Sequence, residues 1–549
     1  MIKIGILCKE LDKLRNFELR IIDHITNDPQ LDLSILIFDG RKQNQRSSYI
    51  KKFFIHFKRG GLISKVILRL QEIIEGYFFK VKHLENKSRI VKNLNKVNKI
   101  YISPERKGFL DIFNDKDSAK VSNYNLDLIL RFEFDIIRGP ILESAKHGIW
   151  SFHHGDNQVN RGGPSCFWEI VLGQDVIGTT LQRLTPELDG GKIIDKAYYN
   201  RSWSLIKSRN TVLESSVILL IKNFNILKNS SLVNYKLSKT YSHKLYKSPN
   251  LYYVFYYIIS FYVIVLKKLV RKLSSLFLNK KFGSWSIAIS KGNFQNIILH
   301  KLKILNPPKN EFWADPFIFS FNKKRFIFFE NFEYDKSKGK ISCGYIVNNK
   351  LIEIKDVLDK DYHLSYPFIF NSDDDIFMIP ETHKNNQLEI YKCRSFPDSW
   401  ELYSTAFKGE QIVDCNFYDD GKNKWLMMNK RNKNTDGCSD LYIYKIDSLK
   451  LNNILSHKKN PVLTDSRVAR NAGPIFEDNG NWIRPSQINT DGYYGRGINL
   501  NKIIKLSLEE YEEQTVESTI PNFHHNIQGM HHIHQVDNLF VTDFCFIKK

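Results

Sequence analysis

Hydrophobic residues follow three different rhythms along the chain. Over residues 1–202 they come in short unbroken runs: IKIGILC at 2–8, LDLSILIF at 31–38 and LDLILRF at 126–132. Runs without polar alternation predict strands of a parallel sheet covered on both faces, because every side chain then meets protein. A helical repeat around Leu19 to Ile25 separates the first two, and Gly139-Pro140 opens a short helix leading to His147. Residues 43–108 are basic and loosely periodic, which fits either a helical insertion or a binding surface.

The second rhythm is LYYVFYYIISFYVIVL at 251–266, sixteen residues without a charge, followed by KKLVRK at 267–272. A helix is predicted there, yet sixteen residues fall short of the about twenty that span a hydrocarbon layer. Two readings fit: a buried connector helix with solvated basic ends, or an interfacial anchor with flanking aromatics and lysines. From about Trp285 onward the rhythm changes to short strands between Asp, Asn and Gly turns, among them RFIFFENF, DIFMIPET, KWLMMNK, LYIYKI and NLFVTDF. The units ADPFIF (314–319), SYPFIF (365–370) and AGPIFE (472–477) resemble one another, and self-similarity of that kind predicts a β-propeller.

Composition narrows the classes. A chain of 549 residues holds two or three domains, and 42% hydrophobic with 13% aromatic residues is ample for their cores. Seven cysteines are scattered without C-x-x-C spacing, which argues against a zinc ribbon or a disulfide framework and fits a reducing cytoplasm. The first residues read directly as a strand, so no signal peptide is expected. The net charge is +22, and no Asp or Glu lies between Glu214 and Glu311, where sixteen Lys or Arg occur. A polybasic stretch beside an apolar helix points to an anionic membrane surface, worth about 1 kcal/mol per charge, and not to nucleic acid.

Chemistry concentrates between His147 and Ile194: HGIWSFHHGDNQVNRGGPSCFWEIVLGQDVIGTTLQRLTPELDGGKII. Glycine turns beside His and Asp suit an acid–base site on strand ends. Gly148 and His153, then Arg161 and Gly162, Gly178 and Thr180, and finally Leu188, Asp189 and Gly191 follow an ordered pattern. In that order and spacing the stretch resembles the formyltransferase family, over roughly residues 1–200. The resemblance implies a Rossmann-like α/β fold and formyl transfer to an amine from a 10-formyltetrahydrofolate-type donor. It implies His153 as acid–base group with Asp189 orienting it, and His154, Asp156, Arg161, Gly162, Gly178 and Thr180 around substrate or donor. The family's asparagine falls on Ser151, a shorter hydroxyl donor. No G-x-G-x-x-G follows the first strand, so a dinucleotide cofactor is not expected.

FWADPFIF, HLSYPFIF, MIPET, RNAGPIF and WIRPSQ together resemble the propeller domain attached to glucosamine inositolphosphorylceramide transferases, over about residues 283–549. That resemblance implies a five-bladed β-propeller that handles glycans. Candidates for its central funnel are the carboxylates Asp315, Glu381 and Asp414, with Arg484, Gln487, Tyr366 and His363 as helpers. Paired carboxylates serve either as glycosidic acid and base or as ligands for sugar hydroxyls. In HHNIQGMHHIH (524–534) His532 is the expected funnel-floor histidine. No metal site is expected, because only Asp537 accompanies these histidines at ligand spacing.

The expected architecture is therefore multidomain. Residues 1–202 form a formyltransferase-like catalytic domain, 203–282 a basic helical connector, and 283–549 a five-bladed propeller. The expected function is formyl transfer to a nucleotide- or lipid-linked amino sugar in surface polysaccharide biosynthesis. The expected location is the cytoplasm, peripheral at the inner membrane face. The alternative is an altered formyltransferase scaffold whose propeller binds or processes glycans.

Overall fold

A computed structural model of the chain describes residues 1–41, 61–79, 81, 87–187, 190–229, 233, 235–236, 241–278, 282–431 and 435–547. The chain divides into two compact units, Met1–Ile264 and Val265–Lys549.

In the first unit seven strands form one sheet: β1 (Ile2–Cys8), β2 (Leu31–Asp39), β3 (Asn98–Ile102), β4 (Leu128–Arg131), β5 (Ile149–His153), β6 (Val176–Arg183) and β7 (Lys192–Asn200). Their order is β7-β6-β5-β4-β1-β2-β3. The five strands β1 to β5 pair in parallel, while β6 and β7 continue the sheet antiparallel. The apolar runs behave as their lack of alternation requires: Ile4, Ile6, Leu7, Leu128, Ile129 and Ile149 are all buried, shared between cores on the two faces. Strand order reverses at β1 and β4, so the carboxyl ends of β1, β4 and β5 border the crevice where open α/β sheets place their ligands.

Helix α1 (Asn16–Asn27) starts where Glu18 accepts from the Arg15 main-chain N–H at 2.7 Å and from its guanidinium, and it buries Phe17, Ile21, Ile22 and Ile25. Helix α2 (Leu62–Phe78) occupies part of the stretch whose pattern left two readings open. Residues 203–282 do not form a separate connector. Helix α3 (Leu205–Asn229) sinks Leu205, Val212, Leu219, Leu220 and Phe224 into the first unit's core. Its Lys222 meets the buried Asp195 of β7 at 3.0 Å. Helix α4 spans Leu251–Leu278, twelve residues beyond the uncharged run, because lysine and arginine stems continue a helix without difficulty.

The second unit consists, among the described residues, of five antiparallel sheets. Four are meanders in chain order, spanning 311–358, 365–406, 411–456 with 463–464, and 476–519. The remaining sheet joins the two ends of the unit, since Ser284–Lys291 pairs with Leu539–Phe546. The repeats seen in the pattern have a structural counterpart. In Glu311–Phe321, Ser365–Ser372 and Gln411–Asp419 the register shifts at Ala314/Phe317, Ser365/Phe368 and Val413/Asn416. The bulged residues Asp315, Tyr366 and Asp414 sit in the left-handed region, with φ of 50°, 47° and 44°. Gly473 stands at the matching place in AGPI, at φ 136°, where an added Cβ would lie 2.0 Å from the Ile533 carbonyl oxygen.

Candidate functional site

Two clusters carry chemistry, one in each unit. In the first, β5 ends in Ser151-Phe152-His153, and alternation along a strand puts Ser151 and His153 on one face. The neighbouring parallel strand β4 ends in Arg131, whose Nη1 donates to Ser151 Oγ at 3.0 Å while Nη2 donates to the carbonyls of Phe134 and Asp135. His153 Nε2 lies 2.8 Å from the Asn160 main-chain oxygen. A carbonyl only accepts, so Nε2 donates.

The loop after His153 is held by a polar lattice. Asp156 accepts from Tyr198 Oη at 3.1 Å and forms an ion pair with Lys196. Burial works against this carboxylate, yet Lys196, the Gln158 N–H and Tyr198 hold it below its ordinary value. Thr180 sits opposite His153 across the β5–β6 pair and donates to the Gly155 carbonyl at 3.0 Å. Gly178 is required by close approach, since a Cβ there would lie 2.7 Å from the Asp156 nitrogen. Gly162 (φ 100°) would press a Cβ to 2.1 Å from the Tyr246 carbonyl oxygen. Arg161 donates to the Asn157 carbonyl and covers the Tyr241 ring.

His154 differs from its expected ligand-binding role. It packs edge-on against Phe17 and stacks on Phe152, and burial drives its pKa down to about 3, so it stays neutral. Asp189 and Leu188 lie outside the described residues. Three groups were not singled out beforehand: Arg131, Lys196 and Glu169. Glu169 is buried, its pKa raised by burial, and accepts from Asn160 Nδ2 at 3.1 Å. The available signal was a charge set in an apolar run, as in LILR and FWEI.

The second cluster draws residues from all five sheets, among them Asp315, Tyr366, Asp414, Gln487 and Asp543. Tyr366 N–H donates to Asp315 at 3.2 Å, Tyr366 Oη donates to Asn416 at 2.8 Å, and Asn416 donates to the Gly473 carbonyl at 2.8 Å. Asp315, Glu381 and Asp414, expected at a funnel, are all buried here, together with Glu330 and Asp543. Arg470 joins Asp414 at 2.6 Å and Glu381 at 3.5 Å, and Gln487 donates to Asp414 at 3.2 Å. Arg484 does not belong to the cluster: it is fully buried against Glu513 at 2.7 Å and donates to Asn471 Oδ1 at 3.0 Å and to the Val468 and Ala469 carbonyls. The arginine two residues before the AGPI bulge, Arg470, takes the expected place because the bulge turns that segment inward.

His531 lies between Asp543, at 2.8 Å, and Asp315, at 3.4 Å, and stacks on Trp285 with ring centroids 3.8 Å apart. Asp543 is pinned by the N–H groups of Asp315, His531 and His532. Burial disfavours the charged imidazole of His531, but Asp543 and Asp315 outweigh it and raise its pKa to about 8. Ligand atoms of Asp315, His531 and Asp543 lie within 4.8 Å of one another, a spacing that also suits a cation; with His531 protonated, the imidazolium fills that role. The His532 ring is buried against Phe317 and Tyr366, next to the bulge glycine, while its main-chain N–H reaches Asp543.

The carboxylates are driven apart. Burial raises Asp315, Glu330 and Asp414, reinforced by their mutual repulsion. Burial also opposes ionisation of Glu381, but the His383 contact at 2.5 Å and Arg470 pull it low. A buried cluster in which some carboxyls are pushed toward the protonated form and Glu381 toward the ionised form holds groups for both proton donation and acceptance.

Residues 281–544 match the family model described as the N-terminal part of glucosamine inositolphosphorylceramide transferase 1. Over 216 residues the chain is 32% identical to glucosamine inositolphosphorylceramide transferase 1 of Oryza sativa subsp. japonica, covering 38% of this chain and 28% of that protein. The Arabidopsis thaliana protein of the same name is 31% identical over 216 residues, with the same coverage. The chain thus spans 28% of the length of the curated relatives it matches, which are named as transferases. Among solved structures, glycinamide ribonucleotide transformylase 1 from Symbiobacterium toebii aligns at 15% identity over 40% of this chain and 82% of its own, with a TM-score of 0.25. An α-L-arabinofuranosidase from Lactobacillus brevis aligns at 11% identity over 40% of this chain and 78% of its own, with a TM-score of 0.30.

Proposed function

We propose that the first unit transfers a one-carbon acyl group to the amine of a sugar, and that the second, read as a five-bladed propeller, holds the glycan. The observation that carries this reading is the arrangement at the carboxyl ends of β4 and β5. His153 lies on the strand face that carries the Ser151 hydroxyl, with its Nε2 on the Asn160 carbonyl, and the permanently charged Arg131 is bonded to that hydroxyl. When an amine attacks a formyl carbon, a C–N bond forms and the carbonyl oxygen takes negative charge. The Arg131 guanidinium and the Ser151 hydroxyl supply donors for that oxyanion, in place of the family's asparagine. His153 takes the amine proton and returns it to the departing nitrogen of the donor as the tetrahedral carbon collapses.

The donor is read as a 10-formyltetrahydrofolate-type molecule, a co-substrate whose carrier-binding residues are not assigned; Asp189, the expected orienting partner of His153, belongs to the same proposal. The glucosamine and the inositolphosphorylceramide in the relatives' name support an amino sugar on a lipid, in surface glycan synthesis, with a nucleotide-linked amino sugar as the other form. The test is mass spectrometry of such amino sugars incubated with the full chain and formyl donor. A gain of one formyl group for one hydrogen, lost in His153→Ala, is the expected result. The same gain in the variant would sink the assignment.

A second reading is favoured by buried carboxyls shifted in opposite directions, Asp315 and Asp414 upward and Glu381 downward: the second unit hydrolyses a glycosidic bond, using one carboxyl as acid and another as base. Release of aryl alcohol from aryl glycosides, abolished by Asp315→Asn and untouched by His153→Ala, would favour it over acyl transfer.

A further inference from the structure

Helix α2 is built inside out. Its buried stripe is mostly polar: Ser64, Leu68, Gln71 and Glu75, spaced three and four residues apart. Glu75 is fully buried and saturated, accepting from Ser204 Oγ at 2.6 Å, the Ile206 N–H at 3.1 Å, Gln71 at 3.1 Å and the Tyr257 hydroxyl of α4. The outward stripe is apolar: Ile63, Val66, Leu70, Ile73 and Tyr77 are between 50% and 84% exposed. An ordinary surface helix of a globular protein shows the reverse.

Helix α4 lies against α2 through the Glu75–Tyr257 bond and shows the same bias. It buries only Val254, Tyr257 and Phe261, while Phe255, Ile259 and Tyr262 stand exposed within the first unit. It is long and apolar enough to cross a bilayer. Its first half, however, flanks a folded unit, with Tyr257 bonded to Glu75 and to the Leu205 N–H and Phe261 packed on Trp203. A spanning helix would have to leave that packing, so the geometry favours lying in the membrane plane. The same helix runs on through Lys267, Lys268, Arg271 and Lys272, within the acid-free stretch between Glu214 and Glu311.

We infer that the exposed faces of α2 and α4 form one membrane-binding platform, and that its partner is the interfacial region of a bilayer rich in anionic lipid. The inverted polarity of α2 singles out lipid, because its polar groups are satisfied inside and its apolar stripe stands exposed among the described residues. The basic run of α4 supplies the preference for negative headgroups. The inference stands independently of the reaction proposed for either unit.

The test is co-sedimentation of the full chain with phosphatidylcholine vesicles, with and without phosphatidylglycerol. Binding to the anionic vesicles is expected, with at least about tenfold weaker partition for Leu70→Glu/Ile73→Glu, which changes only exposed positions. Lys267→Glu/Lys268→Glu should remove the preference for anionic vesicles. Matching melting curves for variants and parent keep misfolding apart from lost binding, and the charge pair serves alone if the α2 pair melts early. Three results overturn the inference: a parent chain that stays in the supernatant, α2 variants that bind as the parent does, or sedimentation without vesicles that the α2 variants abolish. The last would make the face a contact between copies of the chain.

Discussion

In the first unit the charged groups gather where parallel strands end, at the rim of a sheet; in the second they are enclosed where strands of five sheets meet. Arg131 and Arg470 embody the difference. Arg131 is half-buried and bonds to a hydroxyl and two carbonyls, with the Glu133 carboxylate close enough to feel its charge. Arg470 is buried against Asp414 and Glu381, with the aromatic ring of Tyr494 5.0 Å away. At a wet rim a cation keeps its charge available for a substrate oxygen. Inside a dry cluster the same guanidinium is committed to holding carboxylates together.

That contrast is tested first by removing each arginine. Arg470→Met should destabilise the second unit by about 3–5 kcal/mol, because it leaves buried carboxylates uncompensated. Urea unfolding of the full chain would register it, and an unchanged midpoint would mean that the cluster does not depend on this cation. Arg131→Met should leave stability nearly intact but slow acyl transfer by about 10²–10³-fold, the usual cost of one oxyanion donor. If the two variants exchanged these phenotypes, the assignment of rim to catalysis and pit to scaffold would be reversed.

Acidity separates the two regions next. The folded His531 titrates near 8 against an ordinary 6.5, so its stabilisation is complete below about pH 6.5 and is lost as pH rises through 8. Asp414 and Glu330, raised by burial, bind more protons folded than unfolded and act in the same direction. The second unit should therefore lose about 1.3 kcal/mol between pH 6.5 and 8 from His531 alone, out of about 2 kcal/mol over the whole titration. Denaturation midpoints across that range would show the slope, and His531→Gln should flatten it. A slope that survives in the variant would place its origin elsewhere.

The difference also explains what could be read from residues alone. The strands of the first sheet were legible because burial on both faces leaves no polar interruption, and the histidine at the end of β5 came with them. The antiparallel strands were legible too, and the ADPF, SYPF and AGPI repeats marked the bulges that point inward. Of the second cluster, Asp315, Glu381, Asp414, Gln487 and Tyr366 were legible, and the rest was not. Arg470, His531, Asp543 and Glu330 come from segments up to about two hundred residues apart, and each looks locally like an ordinary turn or strand residue. Arg484 was misread for the same reason: sequence distance does not tell an inward arginine from one that serves a neighbouring strand. Helix α2 stayed ambiguous because its periodicity was sound while its polarity was inverted, and periodicity alone cannot say which face turns in.

The smallest effect bears most directly on the rim. Ser151 and Arg131 share one hydrogen bond, and either could be the group that meets a developing oxyanion. If the guanidinium is the principal donor, Ser151→Ala removes only a neutral contact that helps aim it, worth about 1 kcal/mol, and the rate should fall by no more than about tenfold. Acyl-transfer rates at saturating substrate would read this, with Arg131→Lys as the companion. Lysine keeps the charge but not the planar fork, so it should recover part of the rate lost in Arg131→Met. A loss in Ser151→Ala as large as that in Arg131→Met would instead make the hydroxyl the donor and the arginine its orienting neighbour.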